Sequence, residues 1–544
     1  MTEFTGKGAS GGIAVGKIML YKRQNIQVNP AEVQNVEAEL ARFEKAKQAA
    51  LEQLSGVYEK ALKDVGEENA QIFEIHMMML EDEDYNDAVT EMIRNQSVNA
   101  EYAVSCASDS FSQMFSSMDD SYMQARAADV KDISRRIIDC LNDRTNMLSY
   151  SDEKVIICAD DLAPGETVAL DKSRVIAFAT AEGSSNSHTT ILAKSMNIPA
   201  IIGAGNTFLE AVVDGDVAIA DGFTGRIIVN PDEKTVSEYL EKQKCDAEKK
   251  AELQKLKGKE NITLDGTKID IFANIGNAEN ISQVLDNDAG GIGLFRSEFL
   301  YLESSDYPTE DEQFRMYKKV LEGMNPKKVI IRTLDIGADK QADYFNLDKE
   351  DNPALGLRAI RISLTQPEIF RTQLRALYRA SAYGNLGIMF PMIAGADELE
   401  EVLKICNQVK GELSTEGTEY SYSVELGIMI ETPASAIISD RLAQMVDFFS
   451  VGTNDLIQYT LACDRQNPRL ERFCNPHHEA ILRLIEMSAK NAHKYGAWIG
   501  ICGELAADTS LTEAFLRMGI DELSVSPSFV LEVRDKVRHI DLKA

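Results

Sequence analysis

The sequence predicts an α/β chain in which a C-terminal TIM (β/α)8 barrel follows a smaller α/β domain that carries an inserted α-helical bundle. Three observations lead there. Strand-like segments alternate with helical ones eight times beyond residue 260, apolar residues at three-and-four spacing fill 30–146, and short strand-like runs flank that helical stretch on both sides.

A chain of 544 residues is too long for one ordinary core, so several domains are expected. Its 57 Lys+Arg against 87 Asp+Glu give a net charge of −30, which repels nucleic acid and an anionic membrane face and attracts a basic protein. Met1-Thr2-Glu3-Phe4-Thr5-Gly6 has neither a basic start nor an apolar core, and no later apolar run is long enough to cross a bilayer. A soluble, cytoplasmic protein is expected. The 8 cysteines lack CxxC pairing, which suggests neither a zinc site nor a disulfide framework.

Along the chain, Gly12-Ile13-Ala14-Val15-Gly16 reads as a strand. Val33, Val36, Leu40 and Phe43, then Ile72, Ile75 and Met79, mark helix faces of the bundle. After it come strand-like Val155-Ile156-Ile157-Cys158 and Val175-Ile176-Ala177-Phe178, and a hairpin over 215–229. Residues 1–29 and 147–230 then form one α/β domain, and 30–146 are its insertion. From 231 to 260 the composition turns to Glu, Lys, Gln and Ala, as a solvated helical linker would. Residues 261–544 make the barrel, with strands at 269–274, 291–294, 329–333, 387–391, 425–430, 447–451, 498–502 and 522–525. A TIM barrel carries its active site at the C-terminal ends of its strands. Arg296, Arg332, Glu431, Asn454, Asp455 and Cys502 all fall there.

Each of these residues has a plain alternative. Glu431 and Asp455 could be ordinary salt-bridged carboxylates, yet Mg²⁺ sites commonly use one or two carboxylates plus substrate phosphate. Arg296, Arg332 and Arg465 could be surface residues, yet three guanidinium forks converging at strand ends would clamp a small anion. Cys502 could be a packing thiol. His188 follows a Gly-Ser-Ser-Asn-Ser loop and opens Thr189-Thr190-Ile191-Leu192-Ala193, so its imidazole would lie at a helix N-terminus, where the dipole favours an added phosphoryl charge. Gly6-Lys7-Gly8-Ala9-Ser10-Gly11 matches G-x-G-x-x-G, but with no strand before it the segment reads as a turn entering the first strand. Neighbouring His477 and His478 do not share a helix face, which argues against a metal pair.

Leu334-Asp335-Ile336-Gly337-Ala338-Asp339-Lys340, Leu355-Gly356-Leu357-Arg358-Ala359-Ile360-Arg361, the run from Gly452 to Arg465, and Cys502-Gly503-Glu504 closely resemble phosphoenolpyruvate-protein phosphotransferase, Enzyme I of the bacterial sugar phosphotransferase system. The resemblance spans essentially the whole chain. It implies that His188 is phosphorylated, that Arg296, Arg332, Asn454, Asp455 and Arg465 bind phosphoenolpyruvate, that Glu431 and Asp455 ligate Mg²⁺, and that Cys502 protonates the departing enolate. By the same resemblance Thr167 orients the imidazole and Arg358 reaches the substrate. It further implies a swivelling α/β phosphohistidine domain, a helical insertion that docks the carrier protein HPr, and a homodimer formed through the barrel.

The chain departs from the family pattern in two places. It has Gly183-Ser184-Ser185-Asn186-Ser187-His188 where Gly-Gly-x-Thr-Ser-His is usual, with Lys194 for an arginine, and Leu505-Ala506-Ala507 follows Glu504 where a methionine and a glycine are usual. These changes spare every residue with a named chemical role. A phosphoenolpyruvate synthase or pyruvate phosphate dikinase would need an ATP-binding domain, for which no length remains. A non-catalytic regulatory paralogue is the other alternative, against which intact His188, Glu431, Asp455 and Cys502 argue.

Overall fold

Short β-branched and alanine-rich runs in the first half of the chain pair into one sheet, while the apolar runs of the second half close into a barrel. A computed structural model describes residues 1–21, 28–64, 67–117, 121–142, 154–160, 174–182, 198–302, 304, 306–337, 342–348, 350–465 and 467–544. The chain divides into two units, Met1–Lys249 and Lys250–Ala544.

In the first unit the strands are β1 (Thr2–Thr5), β2 (Lys7–Ser10), β3 (Ile13–Tyr21), β4 (Val155–Ala159), β5 (Val175–Thr180), β6 (Ala200–Ile202), β7 (Val217–Asp221) and β8 (Arg226–Val229). They form one mixed sheet in the order β1-β8-β7-β3-β4-β5-β6-β2. Between β3 and β4 run the helices α1 (Val36–Asp64), α2 (Glu67–Glu81), α3 (Glu83–Gln96), α4 (Ala100–Ser116) and α5 (Ser121–Leu141). β3 and β4 nevertheless pair directly and in parallel, so the helices are an excursion from the sheet. Their apolar faces build a separate core around Phe43, Leu54, Phe73, Val89, Val104 and Ile137. The expected hairpin is β7–β8, antiparallel from Ala218 opposite Val229 to Asp221 opposite Arg226.

The glycine-rich start is a strand and not a turn. Lys7–Ser10 is β2, paired with β6. A Cβ on Gly8 would lie 2.2 Å from the Gly222 carbonyl oxygen, so glycine here permits backbone to pack on backbone. The Glu/Lys-rich stretch after Pro231 forms the helix Glu233–Gln254, with Tyr239 buried. Among the described residues no helix is long and apolar enough to cross a membrane.

In the second unit β9 (Asp270–Ile275), β10 (Ile292–Arg296), β11 (Lys328–Arg332), β12 (Asn385–Phe390), β13 (Glu425–Ile430), β14 (Phe448–Val451), β15 (Trp498–Ile501) and β16 (Glu522–Val525) close a barrel. Every neighbouring pair is parallel. Each predicted barrel segment becomes one of these strands, the ends moving by at most two residues. Side chains alternate along them as the pleat requires. Ile331, Ile388, Ile430, Val451 and Ile501 face the surrounding helices, whereas Leu294, Ile330, Met389, Met429, Phe448 and Cys502 pack together inside. The alternation aims alternate residues at each strand's C-terminal end into the barrel mouth. The predicted fold class, a TIM barrel behind an α/β domain with a helical insertion, is the one observed.

Candidate active site

Arg332 ends β11 with its side chain pointing inward, almost wholly buried. Its Nη2 lies 2.5 Å from Glu298 Oε1 and its Nη1 2.8 Å from Asp335 Oδ2. Burial alone would weaken the charged guanidinium, but the Asp335 and Glu298 carboxylates outweigh it and the pKa is raised. Arg358 reaches the same place from the loop after Leu355. Its Nη2 is 3.0 Å from Asp335 Oδ1, and its Nη1 is 3.0 Å from the Tyr459 hydroxyl and 3.4 Å from Asp455 Oδ1. The loop is held at a strained residue: Ala359 has φ +52° and donates its N–H to the Ile336 carbonyl at 2.8 Å. Such strain persists where a side chain must be aimed.

Glu431, one residue past β13, has no solvent exposure. Its Oε1 accepts the Met392 N–H at 2.5 Å, and Met392 itself takes φ +56° to present that donor. Among the described residues its Oε2 has no hydrogen-bond partner. A Cβ on Gly452 would lie 3.0 Å from that oxygen, so the glycine opens the space between Glu431 and the loop that begins the helix Thr453–Leu461. Asp455 lies in that helix's first turn. Burial, then the Asp455 and Asp335 carboxylates, push Glu431 up to about 8. An acidic pair with one oxygen unsatisfied at the barrel mouth fits a hard divalent cation, which would supply the missing positive charge. Among the described residues no group of three His, Cys, Asp or Glu side chains is arranged around a metal position, so such an ion would have to complete its shell with substrate oxygens and water.

Arg465 is partly exposed, its Nη1 3.6 Å from Asp455 Oδ2. Asn454 bridges to the next loop: its Nδ2 donates to Glu504 Oε1 and its Oδ1 accepts the Glu504 N–H, both at 3.2 Å. Cys502 is buried at the end of β15, its Sγ 3.7 Å from the Val451 carbonyl. Burial pushes its thiol up to about 12, so it keeps its proton at neutral pH. Arg296 stands apart in one respect. It pairs in register with Arg332 across β10 and β11, but its side chain is exposed.

The structure thus brings Arg332, Glu431, Asp455, Arg465 and Cys502 to one end of the barrel, with Arg296 and Asn454 on its rim. His188 and Thr167 lie outside the described residues. Sequence reasoning missed Glu298, Asp335 and Tyr459. The signal for the first two was present, since each follows an arginine at a strand end by two or three residues. His478 caps the helix Glu479–Tyr495, accepting the Ala480 N–H, and His477 Nε2 lies 2.6 Å from Asp508.

Comparison with known proteins finds similarity along nearly the whole chain. The family described as PEP-utilising enzyme, PEP-binding domain, matches residues 250–542. The N-terminal and mobile domains of PEP-utilising enzymes match 5–126 and 151–225. The phosphoenolpyruvate-protein phosphotransferase of Priestia megaterium is 44% identical over 539 residues, 99% of this chain and 94% of the relative. Those of Bacillus subtilis (strain 168) and Listeria innocua are also 44% identical, over 538 and 541 residues. The chain belongs to the phosphoenolpyruvate-protein phosphotransferase family and is an enzyme.

Proposed function

We propose that this enzyme takes the phosphoryl group of phosphoenolpyruvate onto His188, releases pyruvate, and passes the group to a histidine of the carrier protein HPr, as the first step of a sugar phosphotransferase system in the cytoplasm. The observation that carries this reading is the convergence of Arg332, Arg358 and Arg465 on Glu431 and Asp455 at the barrel mouth. Arginine forks suit the carboxylate and phosphate of phosphoenolpyruvate, and the acidic pair suits Mg²⁺ shared with the substrate's oxygens.

In this reading Arg296, Arg332, Asn454 and Arg465 hold the substrate, and Glu431 and Asp455 hold the metal. Bound Mg²⁺ would neutralise phosphoryl and enolate oxygens. Asp335 and Glu298 keep Arg332 and Arg358 extended before substrate arrives, so little reorganisation remains for the reaction itself. A neutral nitrogen of His188 approaches phosphorus in line with the enolate oxygen; the P–O bond breaks as the N–P bond forms. The enolate then collapses to the ketone as its methylene carbon takes the proton from Cys502 Sγ. His188 belongs to the N-terminal unit and the substrate residues to the barrel, so the two must meet for the first transfer and part for the second, with the stretch after Pro231 as hinge. The helical excursion α1–α5 is the docking surface for HPr, and the working form is a homodimer.

The test is incubation with phosphoenolpyruvate, Mg²⁺ and HPr in the absence of ATP. Pyruvate and phosphorylated HPr are expected. Product formation only with ATP would point to a dikinase-type reaction, and binding without pyruvate to a non-catalytic regulator.

A further inference from the structure

One layer beneath Cys502 the barrel interior holds a carboxyl group for which this reaction scheme has no use. Glu522 opens β16 and is 1% exposed, and among the described residues neither of its carboxyl oxygens has a partner in hydrogen-bond geometry; its polar neighbour, the Ser524 hydroxyl, donates to Asn274 instead. Buried polar groups left in this way are uncommon and costly. The barrel makes room for this one. A Cβ on Gly500 would lie 1.9 Å from Glu522 Oε2, and one on Gly293 would lie 2.5 Å from Oε1. Two strands therefore carry glycine where they face the carboxyl, and any side chain there would displace it.

The register shows what the carboxyl faces. Ser450 pairs with Gly500, and Gly500 pairs with Glu522, so the serine and the glutamate look at each other across a residue without a side chain. Among the described residues the Ser450 hydroxyl likewise has no partner in hydrogen-bond geometry, and its neighbour is the Cys502 thiol. Cys502 is two residues further along the same strand as Gly500, about 6.6 Å higher on the same face. Asn274 fixes the other side: its Nδ2 donates to the Cys502 carbonyl at 2.9 Å, and its Oδ1 accepts the Ser524 hydroxyl at 2.5 Å. The charged groups around Glu522 are Asp270, opposite it on β9 and exposed at the barrel's N-terminal end, and Lys328 of β11, which is paired with Glu425 at 2.8 Å. Burial and Asp270 both favour the neutral acid, and the Ser524 hydroxyl and Lys328 offset only part of that.

We propose that Glu522 is an internal proton store that recharges Cys502 between turnovers, through the Ser450 hydroxyl. This rests on Cys502 being the acid that makes pyruvate. When the thiol S–H breaks and the methylene C–H forms, a thiolate remains in a buried site. The Ser450 hydroxyl gives its proton to the sulfur and takes the proton of the Glu522 carboxyl. The O–H of Glu522 breaks, an S–H forms, and the serine is unchanged. The carboxylate then regains a proton from solvent at the Asp270 end of the barrel. Glu522 is a relay and touches no substrate.

The test uses the full enzyme and the variants Glu522→Gln, Ser450→Ala and Cys502→Ala. Pyruvate is followed by rapid quench in a single turnover without HPr, and at steady state with excess HPr. Glu522→Gln should form its first pyruvate within twofold of wild type and then turn over at least tenfold more slowly, whereas Cys502→Ala should be slow in both phases. A Glu522→Gln enzyme that is normal in both phases while Cys502→Ala is slow overturns the relay and leaves the acid in place. Equal losses in both phases overturn it too, in favour of a packing role. A fast Cys502→Ala enzyme removes the acid itself, and the relay with it. If Glu522→Gln does not fold, Ser450→Ala carries the same expectation, and undiminished steady-state turnover in that variant overturns the proposal.

Discussion

Arg332 and Arg358 share one buried carboxylate: Asp335 Oδ2 is 2.8 Å from the first and Asp335 Oδ1 3.0 Å from the second. Neither guanidinium is free to swing, because Glu298 holds Arg332 from the other side and Tyr459 holds Arg358. Asp335→Asn keeps the shape and removes the charge, leaving two buried cations undercompensated. Breaking a buried ion pair in this way costs ~3–5 kcal/mol. The expected outcome is a lower melting temperature of the barrel and weaker phosphoenolpyruvate binding, read by calorimetry and titration. Unchanged values in both would mean that Glu298 alone aligns Arg332.

A second expectation concerns the metal. Glu431 Oε1 is taken by the Met392 N–H, so only Oε2 is available to a cation. Glu431→Gln keeps a hydrogen-bonding oxygen and loses the charge. Mg²⁺ affinity, measured by titration in the presence of phosphoenolpyruvate, should fall by more than the roughly 10–100-fold that loss of an outer-shell partner costs. The same applies to Asp455→Asn, and wild-type Mg²⁺ dependence in either variant removes that residue from the ligand set.

The sequence showed the barrel because both faces of its strands are apolar, as in Glu425–Ile430, and such runs stand out between helical stretches. The strands β1 and β2 did not stand out, since Thr-Glu-Phe-Thr and Lys-Gly-Ala-Ser lack an apolar alternation and are held by pairing with β8 and β6. Arg332, Glu431, Asp455 and Cys502 were legible by position at strand ends. Asp335 and Glu298 follow Arg332 and Arg296 closely in the chain, but that spacing alone did not mark them, because a carboxylate near an arginine reads the same whether it is buried or solvated. Glu522 was hidden for a related reason: it opens the predicted strand 522–525, but an acidic residue at the start of a strand reads as solvent-facing, and only closure of the barrel turns it inward.

The division of the chain at Lys249 and Lys250 leads to a third expectation. Expressed separately, residues 1–249 and 250–544 should each fold and unfold cooperatively, without the other piece present. The C-terminal piece should bind phosphoenolpyruvate, and the N-terminal piece should exchange phosphate with HPr yet not be phosphorylated by phosphoenolpyruvate. Autophosphorylation of the N-terminal piece alone would overturn the assignment of the substrate residues to the barrel.

The last expectation follows from the position of Glu522 and has a definite sign. In the folded barrel, burial and then Asp270 hold its carboxyl well above the ordinary glutamate range, whereas in the unfolded chain it titrates near 4.5. Between those two values the folded state binds one more proton than the unfolded state. Stability must therefore fall as pH rises from about 4.5, by at most about 1.4 kcal/mol per pH unit from this group. Glu522→Gln cannot ionise in either state and loses that slope. Urea unfolding of residues 250–544 at pH 5, 6 and 7 should show the stability of the variant gaining on that of wild type at each step. At about pH 3 and below, both side chains are essentially neutral in both states, and the difference should stop changing. A neutral, proton-bearing carboxyl at this position is what the proposed proton store requires. A difference that does not vary with pH would mean that Glu522 is ionised inside the barrel, and the proton store would then be empty.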